Sequence, residues 1–251
     1  MKCSAGIIPS VIQSGTGPRE SVGIVFDGDD TLWSTEQLYD QARCAAAEIV
    51  LEAGLDAAAW DTMERRIDVG NVAVLGHTVE RFPTSCVQAY YELCRLARRA
   101  PHSSVAERVR EIARTAFTRP APLVSAAKET LLALHAQGYR LALLTKGDET
   151  VQERRIEQSG LRPYFDLIQI VPEKSASVIK AVVALLGVET RCAWMVGNSV
   201  RSDVMPALDA GLRAVWIDAH VWEYERAHDH LVDDRVLRIG RLSDLPGVIA
   251  A

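Results

Sequence analysis

The sequence predicts a doubly wound α/β fold, a parallel β-sheet between helix layers, with an all-helical cap inserted after the first strand. Three observations carry this. From residue 118 onward, short apolar segments alternate with helical ones, and several of the helices end at a glycine. The strand candidates are apolar on both faces, as strands covered by helices on either side must be. Residues 35–117 hold no strand pattern, although a parallel crossover needs only about a dozen residues, so this stretch is more than a connection.

Residues 1–20, with "SGTGPRE", lack periodicity and read as a flexible tail. "GIVF", residues 23–26, is the first strand. The insert reads as helices at 37–54, 57–69, 83–100 and 104–117. Between the second and third, "GHTVERFPTS" (residues 76–85) breaks the pattern; a loop there would bring His77, Arg81 or Ser85 over a site. "RPAP", residues 119–122, reads as a hinge. The expected division is therefore a core of 21–34 plus 118–251, and a cap of 35–117.

In the core, helices are expected at 126–136, 149–159, 176–186 and 202–210, followed by Gly138, Gly160, Gly187 and Gly211, which suit left-handed helix ends. Strands are expected at 139–144, 167–171, 193–196 and 214–217, with a last short one at 236–239. Trp194 falls on a buried strand and is expected in the core.

Composition limits the function. With 251 residues, 48% hydrophobic and 24% charged, this is the balance of a soluble globular protein. A net charge of -5 argues against non-specific nucleic-acid binding, which needs a basic face. The five cysteines (Cys3, Cys44, Cys86, Cys94, Cys192) are scattered without CxxC spacing and read as reduced thiols. The N-terminal apolar burst is too weak for a signal peptide. No apolar run approaches the roughly 20 residues of a membrane span. A cytoplasmic protein, monomer or homodimer, with a small-molecule partner is expected.

Ligands of such sheets sit at the carboxyl ends of the strands, so the strand ends hold the chemistry. The first, "VGIVFDGDDTLW", drives an apolar strand into Asp27, Asp29 and Asp30. The second, "YRLALLTKGD", ends in Thr145, Lys146 and Gly147. Lys174 follows the third, and "CAWMVGNSVRSD" brings Asn198 and Asp203. Clustered carboxylates raise one another's pKa unless a cation offsets them. Mg²⁺, which takes oxygen ligands and keeps several waters, suits this set.

The segments "DGDDT", "LLT", "EKS" and "GNSVRSD", in that order and each at a strand end, resemble the four motifs of the haloacid dehalogenase (HAD) superfamily, phosphatase branch. The likeness spans the Rossmann-like core, about two-thirds of the chain, and the insert resembles that superfamily's helical C1 cap. The resemblance implies a Mg²⁺-dependent hydrolase of a small phosphorylated metabolite. It implies Asp27 as nucleophile forming an aspartyl phosphate and Asp29 as general acid and base. It makes Thr145 and Lys174 phosphate-stabilising groups, with Gly28, Lys146 and Gly147 beside the phosphate. It makes Asp27, the Asp29 main-chain carbonyl, Asn198 and Asp203 the metal set. The chain departs at Asn198, where the superfamily's fourth motif has an acid; one less charge implies weaker metal affinity or a shift toward Asp203.

Other readings stand beside this one. A 2-haloacid dehalogenase would use Asp27 on carbon without metal, but lacks the acid that Asp29 supplies. A phospho-aspartate switch would combine acids, Thr and Lys without turnover, at about half this length. Asp30 reads as a solvated turn residue or helix N-terminal acid, Lys146 as a rival to Lys174, and His228 and His230 as a solvated loop. Trp33 either packs the hinge or borders the substrate.

Overall fold

The computed structural model describes residues 21–218, 222 and 233–249. The expected tail and the His228/His230 pair lie outside them. The described strands, β1 (Gly23–Phe26), β2 (Arg140–Lys146), β3 (Leu167–Val171), β4 (Ala193–Gly197), β5 (Arg213–Ile217) and β6 (Val236–Ile239), form one sheet in the order β3-β2-β1-β4-β5-β6. Every pairing is parallel. The expected fold class is borne out.

Alternation along the strands explains the two helix layers. Ile24 and Phe26 of β1 point to one face, where Leu141, Leu143, Trp194 and Val196 join Leu131 and Leu134 of α5 (Ala127–Ala136) and Ile156 of α6 (Glu149–Ser159). Val25 points to the other, where Ala142, Leu144 and Met195 meet Ile179, Val182 and Val183 of α7 (Ala176–Leu185). Trp194 is buried as expected, with the Arg213 guanidinium 3.9 Å from its ring centre.

The insert is four helices, α1 (Glu36–Glu52), α2 (Ala57–Leu75), α3 (Arg81–Leu96) and α4 (Ser103–Thr118), with a hydrophobic centre of their own around Trp60, Phe82, Tyr90 and Val109. Helix α2 runs six residues beyond its expected end at 69. Gly70 halts the sequence pattern, yet in the structure a side chain there would meet nothing, and one glycine costs a helix only about 1 kcal/mol. The loop over the site shrinks accordingly to residues 76–80, because Arg81 to Ser85 form the first turn of α3. The helix expected at 202–210 is also different. A π-helical turn at Val200–Val204 precedes a short α8 (Met205–Asp209), since Pro206 has no N–H to continue an ordinary turn.

Trp33 packs at the junction where the chain leaves for the insert and returns from it. Its main chain bridges to Leu123, Ser34 N–H donates to the Pro122 carbonyl at 2.8 Å, and its ring is fully buried. Among the described residues no helix is long and apolar enough to cross a membrane.

Leu143, fully buried between layers, gauges the core. Leu143→Ala should lower unfolding free energy by about 3 kcal/mol, read as a lower denaturant midpoint with unchanged slope.

Candidate active site

The strand order reverses at β1, which has β2 on one side and β4 on the other, and such a switch opens a crevice at the strands' carboxyl ends. Asp27 stands there, its N–H bonded to the Val196 carbonyl of β4 at 2.9 Å. Its carboxylate is buried and accepts from Lys174 Nζ and, at 3.1 Å, from Thr31 Oγ1. Lys174 reaches in from the segment after β3 and also donates to Asp203 Oδ1 at 2.7 Å. Burial pushes Asp27 up to about 7, Asp203's charge adds to this and Lys174 offsets part of it. Burial works against the Lys174 ammonium, but the Asp203 and Asp27 carboxylates override it and raise its pKa.

Two glycines make room for these groups. A Cβ on Gly197 would collide with the Asp203 carboxylate. A Cβ on Gly28 would lie 2.5 Å from Trp33 Cζ2 and 3.2 Å from Thr145 Oγ1. The Gly28 carbonyl accepts from the N–H groups of Thr31 and Leu32, at 3.2 and 2.8 Å, folding the chain into the turn that presents Asp29.

Asp29 is held by three donors. Trp33 Nε1 reaches Oδ1 at 2.6 Å, and Gln152 Nε2 and Arg155 Nη1 reach Oδ2 at 2.9 and 2.8 Å. Asp30 turns away with a positive φ of 58° and caps α1, accepting from the Thr35 and Glu36 N–H groups at 2.8 and 3.0 Å. Of the two readings for Asp30, it is therefore the helix N-terminal acid. Burial raises it to about 6.

Thr145, at the end of β2, is buried with no hydrogen-bond partner for its hydroxyl. Gly147 has a φ of +130°, a conformation suited to glycine, and donates its N–H to the Val171 carbonyl. Lys146 donates to Ser202 Oγ at 2.6 Å, while Lys174 is the lysine on Asp27.

Asn198 Oδ1 lies 3.4 Å from the Thr31 hydroxyl that also bonds Asp27, so these two oxygens converge. Asp203 is engaged differently, with Oδ1 on Lys174 and Oδ2 accepting from Ser199 N–H at 3.0 Å. Among the described residues no group of three His, Cys, Asp or Glu is placed to hold a metal ion.

A cavity of about 150 Å³ connects these groups with the insert, bordered there by Tyr39, Arg43, Asp68, His77 and Arg81. Of the expected loop contacts, His77 and Arg81 line it. Ser85 does not; it is buried inside α3, donating to Asp68 Oδ1 at 2.9 Å.

A family model described as a haloacid dehalogenase-like hydrolase matches residues 23–211. The chain belongs to the haloacid dehalogenase-like hydrolases. A ribulose-1,5-bisphosphate 5-phosphatase of Halopiger xanaduensis is 28% identical, over 90% of this chain and 99% of its own. A glyceraldehyde 3-phosphate phosphatase of Methanothermobacter thermautotrophicus is 23% identical, over 82% and 89%. A solved haloacid dehalogenase-like hydrolase of Xanthomonas campestris superposes with a TM-score of 0.71 at 27% identity, covering 92% of this chain and 96% of that one. The expected family and its phosphatase branch are both borne out.

Within this hydrolase, Gln152, Arg155 and Tyr39 lie outside the four motifs. A signal existed for two of them. Gln152 and Arg155 share the buried stripe of α6 with Val151 and Ile156, and polar residues in an apolar stripe invite a search for their partners.

Gly28→Ala should abolish the Asp29 turn. The expected result is loss of more than about 2 kcal/mol of stability together with loss of hydrolase activity; a stable, active variant would show that Trp33 can yield.

Proposed function

We propose that the chain is a Mg²⁺-dependent phosphomonoester hydrolase that works through an aspartyl phosphate on Asp27. The observation that carries this is the Thr145 hydroxyl, buried without a partner beside Gly28 and bordering the same cavity as Asp27 and Lys174. A buried orphan hydroxyl costs stability, and a phosphoryl oxygen is the acceptor such a set would take.

The donor chemistry suits Mg²⁺. Asp27 and Asn198 present converging oxygens, and the Asp29 main-chain carbonyl follows directly on the same turn. Asp203 has both oxygens engaged, which favours Asn198 as the direct donor and makes Asp203 the anchor of Lys174. Mg²⁺, when bound, would screen the carboxylate from the phosphate it attacks.

The chain's own groups perform the rest. Asp27 attacks phosphorus, while Lys174 and Thr145 take up charge growing on the phosphoryl oxygens. Gly28 lets the main chain approach, with Lys146 and Gly147 at the phosphate's edge. Asp29 protonates the leaving oxygen and then takes a proton from the attacking water. To do so it exchanges its bonds to Arg155 and Gln152 for one to the substrate. The cavity is bordered by Asp27 and Asp29 on one side and by Tyr39, Arg43 and Arg81 of α1–α4 on the other, so residues 35–117 would act as a cap over a small metabolite.

Phosphate release from p-nitrophenyl phosphate and a panel of metabolite phosphates, with Mg²⁺ and with EDTA, tests this. Release is expected with Mg²⁺ and none with EDTA. Metal-independent halide release from 2-chloropropionate, without phosphate release, would favour the dehalogenase chemistry instead. Asp27→Asn should lower turnover more than about a thousandfold. Asn198→Asp restores one negative charge to the metal set, so half-maximal activity should come at lower Mg²⁺; an unchanged requirement would remove Asn198 from it.

A further inference from the structure

Beside Asp29, the cavity wall carries donors that the phosphoryl-transfer steps leave unused. Tyr39 of α1 is wedged edge-on between Phe82 and Phe117, with ring centroids 5.0 and 5.6 Å away and interplanar angles of 79° and 88°. Both neighbours hold the ring, so its hydroxyl is a fixed point. That hydroxyl lies in the fields of Arg155 and Arg81.

Arg155 is buried and gives Nη1 to Asp29. Its Nη2 is buried too, with Tyr39 beside it and no hydrogen-bond partner of normal geometry. Arg81 is also buried. It pairs with Asp68 through Nη1, lies 4.4 Å over the Trp222 ring centre, and leaves Nε without a partner. All three residues border the cavity that holds Asp27 and Asp29.

Buried guanidinium N–H groups without acceptors are costly, and the best acceptor for them is an anion. The need grows during turnover. When Asp29 turns to the leaving oxygen, the buried Arg155 loses its counter-ion.

We propose that Tyr39, Arg155 and Arg81 form a receptor for a carboxylate on the leaving group, so that the preferred substrates are phosphate monoesters of small hydroxy acids. This rests on the phosphatase reading and adds the substrate class. A carboxylate replaces the Asp29 carboxylate group for group. A second phosphate is more highly charged, and the cavity wall already carries Asp68 and Glu36.

The test compares phosphoglycolate with ethyl phosphate, which differ in the carboxylate. Both are titrated calorimetrically, with Mg²⁺, into the full chain carrying Asp27→Asn, and both are assayed for turnover with the unmodified chain. Phosphoglycolate should bind about tenfold more tightly, the scale of one charge-assisted hydrogen-bond set. Tyr39→Phe, which removes only the hydroxyl, and Arg81→Lys, which keeps a cation for Asp68, should each cut that ratio to about threefold or less.

Equal binding of the two esters, or a ratio that both variants leave intact, would overturn the receptor. Tighter binding of ethylene glycol bisphosphate than of phosphoglycolate would overturn the carboxylate assignment. If the unmodified chain hydrolyses both esters at equal kcat/KM, the receptor fails and the phosphatase reading stands. If it hydrolyses neither these esters nor p-nitrophenyl phosphate, the phosphatase reading fails, and the binding ratio still decides the receptor.

Discussion

One ammonium holds the site together. Lys174 lies between Asp27, at the end of β1, and Asp203, in the turn after β4, and all three groups are buried. Two carboxylates taken from water so close together repel each other, and the Lys174 ammonium between them offsets that repulsion. The neighbouring bonds serve the same arrangement. Ser199 N–H orients Asp203, Thr31 orients Asp27, and Gly197 leaves the space that the Asp203 carboxylate fills. Removing Lys174 would therefore disturb the crevice, because a buried pair that loses one partner leaves an uncompensated charge.

The sheet order decides where this triad stands. With β1 central and β4 beside it, the chain leaves β1 for the insert and returns at Leu123, beside Trp33, and insert residues border the crevice. Trp33 links that junction to Asp29. Its main chain pairs across it, its ring lies under Gly28, and its indole N–H holds Asp29. A motion of the insert would thus be felt at Asp29 through Trp33, and through Arg155, which also holds Asp29 and has Tyr39 of α1 beside it.

Much of this was legible in the sequence, for a physical reason. Strands buried on both faces must be apolar throughout, so Gly23–Phe26 and Ala193–Gly197 stand out, and the strand ends name Asp27, Asp29, Thr145 and Lys174 as neighbours. Local rules failed where tertiary packing decides. Gly70 signals a break that α2 ignores, and Arg81 to Ser85 look like a loop but pack as helix because Phe82 and Cys86 fill the insert's centre. The engagement of both Asp203 oxygens was not legible, since it depends on Lys174 from a segment 29 residues away. The buried stripe of α6 shows that Gln152 and Arg155 must have partners but not which ones, and nothing local singles out Tyr39, whose meaning comes from what it faces across the cavity.

In the proposed reaction, phosphoryl passes through Asp27. Quenching the enzyme during steady turnover of a phosphate ester, reducing with borohydride and mapping the peptides would test it most directly. An acyl phosphate is reduced to the alcohol, so homoserine should appear at position 27 and at no other aspartate, and should be absent without substrate. Turnover that leaves Asp27 unreduced, or homoserine at position 29 or 203 instead, would contradict the account.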